Sequence, residues 1–375
     1  MKRNKVDYLF INPSAEGNSC RYDYNLLSNL PLDNIGYISN VKYDAPVIKN
    51  VLFVPMFNYL GKNNVAKGFS YLYSLLKLFL FLCKYRPRLI HINWIRMPYV
   101  ELYFYNVLRK LLHFRIVYTA HNILPHDTGD KYLEIYNKIY KMVDAVIVHS
   151  KFTKKELELL VENKQKIHVV RHGIIAKDQL LVENAFDFRE KYNLNNRIIY
   201  SISGTQSPYK GTDLAIDAWI SSSKLCNSDK ACLVIMGKNS GVDYTNITKA
   251  NNILLIDRYF TEEEHMSLFY ATDVLLLPYR QISQSGVLLT ALSFKLPAIV
   301  SNIGGLAETM EEANIGWVMD AVNDKALRDI MEYLYDHPEE IERVKNNGKE
   351  WDKIIKYYSW QDIGKETCKL YQTLI

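Results

Sequence analysis

No Asp-x-Asp pair occurs anywhere in the 375 residues, and no His or Cys cluster has metal-ligand spacing. Hard divalent ions need several oxygen ligands, so a carboxylate-held metal is not expected. The nearest approach, DTGD (127–130), reads as a polar turn. Five cysteines (Cys20, Cys83, Cys226, Cys232, Cys368) form no CxxC and no even framework. That excludes a disulfide scaffold and suits incidental thiols in a reducing compartment. The N-terminal MKRNKVDYLFINPS has too short an apolar run for a secretion signal and reads as a first strand. Repeats and low-complexity tracts are also missing.

What is present is the composition of a folded soluble protein, 48% hydrophobic and 23% charged. Its length exceeds one compact core and suits two domains. The net charge of +5 conceals an asymmetry. Residues 1–175 hold 25 Lys and Arg against 13 Asp and Glu, while residues 176–375 hold 21 against 28. A basic half joined to an acidic half points to an anionic partner. No nucleic-acid motif accompanies it, so an anionic membrane surface is expected and nucleic acid is not.

β-rich apolar runs at 6–11, 51–54, 89–94, 116–120, 145–149 and 167–170 alternate with helical patterns at 65–84, 99–112, 131–141 and 153–161. Such alternation predicts a parallel, doubly wound sheet. The most hydrophobic stretch, GFSYLYSLLKLFLFLC (68–83), is interrupted by Lys77 and falls short of the ~20 apolar residues of a bilayer span. We read it as a core helix, with a helix lying in a membrane interface as the alternative. HINW (91–94) and TAHNILPH (119–126) follow apolar runs directly, at strand ends where open α/β sheets place ligands. His91, His113 and His149 read as satisfied structural residues. His121, just past a strand and ahead of Asn122, is a site candidate.

A second series opens at 198–203 and continues into GTQSPYKGTDLAIDAW (204–219). Lys210 ahead of a helix adds a mobile cation to a dipole that already favours anions. Strands at 232–236 and 253–256 end at Gly237-Lys238 and Asp257-Arg258-Tyr259. TEEEH (261–265) reads as a helix start capped by Thr261, with Glu264 at the box position. DVLLLPY (273–279) and then SQSGVLLTALSFKLPAIVSNIGGLAE (283–308) form a strand, a polar loop, a helix at 286–294, a strand at 297–300 and a glycine pair. Small residues at Ser285 and Gly286 let a ligand approach the free N–H groups of that helix, which makes a phosphate seat. In the tail, Ser359 caps an amphipathic closing helix.

LPY, QSGV, PAIVS and GGLAE, in this order and spacing, resemble the family-four retaining glycosyltransferases. The resemblance implies an α/β protein with two Rossmann-like domains facing each other across a cleft, the GT-B arrangement. Domains are expected at 1–175 for the acceptor and 176–355 for the donor, with a closing helix at 356–375 packing back on the first. The family's two glutamates, eight positions apart, are replaced by Ile282 and Thr290, and its helix-ending glycine by Lys295. That suggests a subgroup in which Gln284, Ser285 and backbone donors serve instead. Of the family's G-R-x-x-x-x-K-G, Gly204 and Lys210 remain and Thr205 stands at the arginine, with Arg280 the candidate substitute or else a solvated loop residue. His121 is similar to the family histidine that contacts the donor sugar.

By this resemblance Lys210, His121 and Gln284 are the catalytic candidates. Gly204, Thr205, Ser285, Gly286, Thr290, Arg280, Arg258, Tyr259 and Glu308 are expected on the donor, and Asn18, His91 and Asn122 on the acceptor. The implied reaction moves a sugar from a nucleotide-diphosphate sugar to a saccharide or lipid-linked acceptor, without a metal or other cofactor. Bacterial surface polysaccharide assembly in the cytoplasm, at the inner face of the plasma membrane, is the implied setting. A nucleotide-sugar epimerase of the same fold and a non-catalytic partner subunit are the alternatives.

Overall fold

The computed structural model describes residues 5–60, 63–125, 129–174, 186–282 and 284–375. They form two compact units, one of residues 1–173 with 359–375 and one of residues 174–358. Each is a parallel sheet covered by helices.

In the first unit the chain runs β1 (Tyr8–Asn12), α1 (Asn18–Ser28), β2 (Ile35–Asn40), β3 (Val51–Phe57), α2 (Asn64–Tyr85), β4 (Leu89–Ile92), α3 (Pro98–Leu112), β5 (Arg115–Thr119), α4 (Leu133–Met142), β6 (Ala145–Val148), α5 (Lys151–Glu158) and β7 (Ile167–Val169). The strand order is β3-β2-β1-β4-β5-β6-β7, so the direction of winding reverses beside β1. β2 and α1 are additions to the sequence-based expectation. The strand IGYISN is buried throughout, but its Gly, Ser and Asn interrupt the apolar run. The helix begins at Asn18, where the sequence reading places no helix, and Gly17 before it has φ +55°. DTGD falls partly outside the described residues, and its last two residues start a short 3₁₀ turn, Gly129–Tyr132.

α2 corrects another expectation. It is 22 residues long and, by length and composition, apolar enough to cross a membrane. It is not a covered core helix, because only 28% of its most apolar window is buried. Tyr71, Ser74, Leu75, Leu78, Phe81 and Leu82 face inward, while Leu72, Leu76 and Leu80 are exposed.

The second unit runs α6 (Phe188–Lys191), β8 (Ile198–Ser203), α7 (Thr212–Ser221), β9 (Ala231–Met236), β10 (Ile253–Ile256), α8 (Glu262–Ala271), β11 (Val274–Leu277), α9 (Gly286–Ser293), β12 (Ala298–Ser301), α10 (Gly304–Glu312), β13 (Gly316–Met319), α11 (Asp324–Asp336), α12 (Pro338–Lys345) and α13 (Gly348–Tyr357). Its order, β10-β9-β8-β11-β12-β13, reverses between β8 and β11. The strands read as unbroken apolar runs because helices cover both faces. Thr261 and Glu264 form a capping box on α8. Lys295, where the resembled family has glycine, takes the left-handed φ of +51° that ends α9.

The last helix, α14 (Trp360–Leu374), belongs to the first unit. Ser359 accepts from the Asp362 N–H and caps it. Ile363, Leu370 and Tyr371 enter the core beside α1, and Gly364 lies so near that an added Cβ would stand 2.1 Å from the Asn29 carbonyl.

Candidate active site

In open α/β sheets ligands bind outside the carboxyl ends of the strands where winding reverses. In the second unit those strands are β8 and β11, and the loops that follow carry Lys210 and Ser285.

The β8 loop is fixed from inside. Gln206 is buried, its Nε2 donating to the Gly204 carbonyl at 2.6 Å and its Oε1 accepting from the Thr212 hydroxyl at 2.6 Å. Gly211 has φ +69°, and an added Cβ would lie 2.1 Å from the Pro278 carbonyl, so the Lys210 turn sits directly on the end of β11. Lys210 is only 7% exposed. Burial, with no carboxylate beside it, lowers its ammonium to about 8. Its Nζ stands 6.0 Å from the Tyr279 ring centre, and a Cβ on Gly204 would approach it to 2.8 Å. Among the described residues this is a buried cation without a counter-charge.

The β11 loop ends in the helix start of α9. Ser285 is 3% exposed and its hydroxyl accepts from the Leu288 N–H at 3.2 Å. Helix geometry leaves the Gly286 and Val287 N–H groups without intrahelical partners. An added Cβ on Gly286 would meet nothing within 4 Å, so the space beside these donors is open. α10 supports the loop from behind: Gly304 has φ +52°, and a Cβ there would lie 2.1 Å from the Ile282 carbonyl. Two further buried hydroxyls, Ser203 and Ser301 at the ends of β8 and β12, have no hydrogen-bond partner among the described residues.

The remaining candidates in this unit divide. Gly204 lies against Lys210, Thr205 is exposed beside it, and Gln284 is half-buried just ahead of Ser285. Glu308 is half-buried on α10. Thr290 points its hydroxyl at its own helix, donating to the Gly286 carbonyl at 2.9 Å. Arg280 corrects the idea of a substitute arginine. Both guanidinium arms donate to Asp213 at 2.8 Å and one also to the Pro208 carbonyl, so Arg280 clamps the Lys210 loop. Arg258 is paired with Glu264, and Tyr259 is 78% exposed.

The first unit has its own polar centre at its switch point. Asp23 of α1 is wholly buried and accepts from Asn12 at the end of β1, from Asn93 after β4 and from the Tyr37 hydroxyl. Burial pushes its carboxyl up to about 7 despite these three hydrogen bonds. From Asn93 the chain continues to His121 Nε2 at 2.9 Å, from His121 Nδ1 to His149 Nε2 at 3.1 Å, and from His149 Nδ1 to the Val170 carbonyl at 2.8 Å. Burial first, then the neighbouring histidines, holds His121 well below the usual imidazole range, and burial takes His149 to about 3.

Proton positions follow from the end of this chain. The Val170 carbonyl only accepts, so His149 Nδ1 carries a proton. A neutral His149 then accepts from His121 Nδ1–H, which leaves His121 Nε2 as an acceptor. Asn93 must turn its NH₂ to His121 and its carbonyl to Asp23, and Asp23 must donate a proton. An amide can turn this way with its heavy atoms in place. The other satisfied arrangements pair an ionised Asp23 with an imidazolium at His121 or at His149, which burial disfavours.

His121 therefore spends both nitrogens inside the protein and lines a cavity of about 350 Å³. Trp94, Arg96, Thr119, Asn122 and Tyr132 are among its other walls. Trp94 and Asp23 were missed as site residues, although HINW contains the first. His91 is corrected as an acceptor candidate: it is 1% exposed, bonded to Tyr371 and, at 2.6 Å, to Thr119, and sealed in the core. Asn18 opens α1, but its side chain lies outside the described part of the structure.

Comparison with known proteins bears on the fold. Residues 38–177 match the family model Glycosyltransferase Family 4, and residues 184–351 match Glycosyl transferases group 1. The capsular polysaccharide biosynthesis glycosyltransferase CapM of Staphylococcus aureus is 22% identical over 321 residues, 82% of either chain. An uncharacterised glycosyltransferase of Methanocaldococcus jannaschii is 23% identical over 288 residues, 74% of this chain and 70% of its own. Among solved structures, Anabaena HepE in complex with UDP and glucose superposes with a TM-score of 0.73 at 14% identity, covering 98% of this chain and 99% of that one. At that identity the likeness speaks for the fold. The chain carries the two domains of a GT-B glycosyltransferase, a Family 4 domain followed by a group 1 domain.

Proposed function

We propose that the protein transfers a sugar from a nucleotide-diphosphate sugar to a saccharide or lipid-linked acceptor, with retention of configuration, in surface polysaccharide assembly. The observation that carries this reading is Lys210, a buried ammonium with no carboxylate beside it, at the switch point of the second unit. As the bond from the sugar to the diphosphate lengthens, negative charge grows on the leaving phosphate. Lys210 and the open N–H groups at the start of α9 stabilise that charge more than they stabilise the bound donor. They supply positive charge where other designs use a metal, so the reaction needs none. Gln284, just ahead of Ser285, addresses the sugar.

The first unit holds the acceptor, in the cavity walled by Trp94, His121 and Asn122. Support for the donor class comes from HepE, solved with UDP and glucose, and support for the setting comes from CapM of capsular polysaccharide biosynthesis. We take the reaction to run in the cytoplasm at the membrane, where free thiols such as Cys83 stay reduced.

The test is release of free nucleoside diphosphate from a panel of nucleotide sugars, with and without acceptors, after dialysis against EDTA. Acceptor-dependent release in EDTA is expected, and the anomeric coupling of the product reports retention. Loss of nearly all turnover in EDTA, restored by Mg²⁺ or Mn²⁺, would show the seat to be wrong. Interconversion of the donor without release would make the protein an epimerase, and inertness toward the whole panel a non-catalytic subunit.

A further inference from the structure

The outward faces of α2 and α3 form an apolar surface that the fold leaves uncovered. Both helices bury one stripe in the same core cluster, α2 through residues such as Leu75 and Leu78, α3 through Leu102 and Leu108. Their opposite stripes are apolar as well. On α2, Val65, Phe69, Leu72, Leu76 and Leu80 recur at three- and four-residue steps and are exposed, Phe69 at 69%. On α3, Tyr99, Tyr103, Val107 and Leu111 recur every fourth residue, each more than half exposed. A helix that faces water carries polar residues there, and a continuous apolar face marks a contact.

The charge along this stretch of chain is mostly of one sign, although Arg109 and Arg115 are answered by Asp144 and the exposed Glu134 of α4 pairs with Lys138 near α3. Residues 45–126 contain eleven Lys and Arg and a single acid, Glu101. Glu101 is buried, accepting the Arg96 and Met97 N–H groups at 2.7 Å. Lys67, Lys77, Lys84 and Lys110 are exposed beside the apolar stripes. The Lys77 ammonium lies over the Tyr73 ring at 4.5 Å, so the apolar surface continues up to a charged tip.

We infer that the α2–α3 face is the surface by which the protein lies on a bilayer containing anionic lipid. The inference rests on the proposed membrane-side reaction for its purpose, and it gives that proposal an address. α2 lies on the membrane and does not cross it, because crossing would pull Tyr71, Leu75, Leu78 and Leu82 out of the core between β3 and β4. The apolar stripes sink about 5–10 Å into the boundary of headgroups and acyl chains, with the lysines at headgroup level. A second copy of the chain fits the face less well, since a twofold contact would bring two mostly cationic rims together.

The test needs no turnover, so it fails or succeeds independently of the sugar-transfer reading. The protein is sedimented with phosphatidylcholine vesicles, with and without phosphatidylglycerol, from about 0.1 M to about 0.5 M NaCl. Binding should favour the anionic vesicles and weaken with salt. Each lysine near such a surface is worth about fivefold, so Lys67→Gln/Lys77→Gln/Lys84→Gln should bind on the order of 100-fold more weakly. Phe69→Ser/Leu76→Ser should abolish binding, with circular dichroism reporting the retained fold. Lys151→Gln/Lys154→Gln/Lys155→Gln, on α5, should bind as wild type. Wild-type protein that ignores anionic vesicles at low salt overturns the inference. So do face variants that bind normally, or a vesicle-free dimer that Phe69→Ser/Leu76→Ser turns into a monomer.

Discussion

The two sheets reverse their winding beside β1 and beside β8, and each switch point buries a charge-bearing side chain just beyond its strands, on α1 in the first unit and in the β8 loop in the second. In the first unit it is an acid, Asp23, hydrogen-bonded to Asn12, Tyr37 and Asn93. In the second it is a base, Lys210, for which burial is the cause of the shift and no anion offsets it. Burying a charge is costly unless it is partnered or neutralised. The first unit meets that cost internally, with donors and a raised carboxyl, and its switch point is closed. The second leaves the cost standing, and an anionic ligand would relieve it. The same topology thus yields a structural centre in one place and, in the proposed reading, a binding centre in the other.

The largest expected effect tests whether the closed centre holds a neutral acid. The folded pKa of Asp23, about 7, lies above the ~3.9 of an unfolded aspartate. Its contribution is therefore complete below about pH 4 and is lost as pH rises through 7, a change of about 4 kcal/mol. Asp23→Asn copies the protonated form, its NH₂ donating to Asn93 and its carbonyl accepting from Tyr37 and Asn12. The buried histidines titrate in the opposite sense in both proteins, so the difference between the two isolates Asp23. Urea unfolding at a series of pH values should show wild type gaining on Asp23→Asn as pH falls. A difference independent of pH would mean that Asp23 is ionised and the centre is not closed in this way.

Next in size is the open centre. Lys210→Ala should lower kcat by about 30- to 1000-fold, or about 2 to 4 kcal/mol, the range for one electrostatic group at such a site. The unliganded fold should lose no stability at neutral pH, since a cation held below its ordinary range by burial has been removed. In wild type that group's contribution returns as pH rises from about 8 toward its unfolded value, so ligand-free stability should rise there. Steady-state kinetics and thermal melts check both. Activity within threefold of wild type would remove Lys210 from the site.

The smallest effect concerns the second donor set. Ser285→Ala deletes the cap on Leu288 and should cost about 1 kcal/mol of stability. If α9 seats the diphosphate, the donor KM should rise as the loop loosens, with the acceptor KM unchanged. A loss of stability with both constants unchanged would make the cap structural only and leave Lys210 as the test of the open centre.

Much of the fold was legible because it rests on local patterns. Apolar runs bounded by turn residues marked most strands, and Thr261 and Ser359 announced their helices through caps that depend on three or four neighbouring residues. β2 was hidden because burial on both faces tolerates Gly36 and Ser39 once neighbouring strands supply the apolar contacts. Lys210 and Ser285 could be named from their loops, since phosphate-binding geometry is encoded in a few consecutive residues.

The sequence by itself determined the parallel two-unit class, the helix caps and the loops after β8 and β11, because each depends on residues close along the chain. Only the tertiary structure decided which charges are answered. Asp23 meets Asn93 across seventy positions, Arg280 finds Asp213 across sixty-seven, and His91 meets Tyr371 across two hundred and eighty. Whether a polar side chain is a ligand or a buried strut depends on such partners. Likewise the apolar residues of α2 are indistinguishable in sequence, and only the packing of one stripe against the sheet leaves the other exposed.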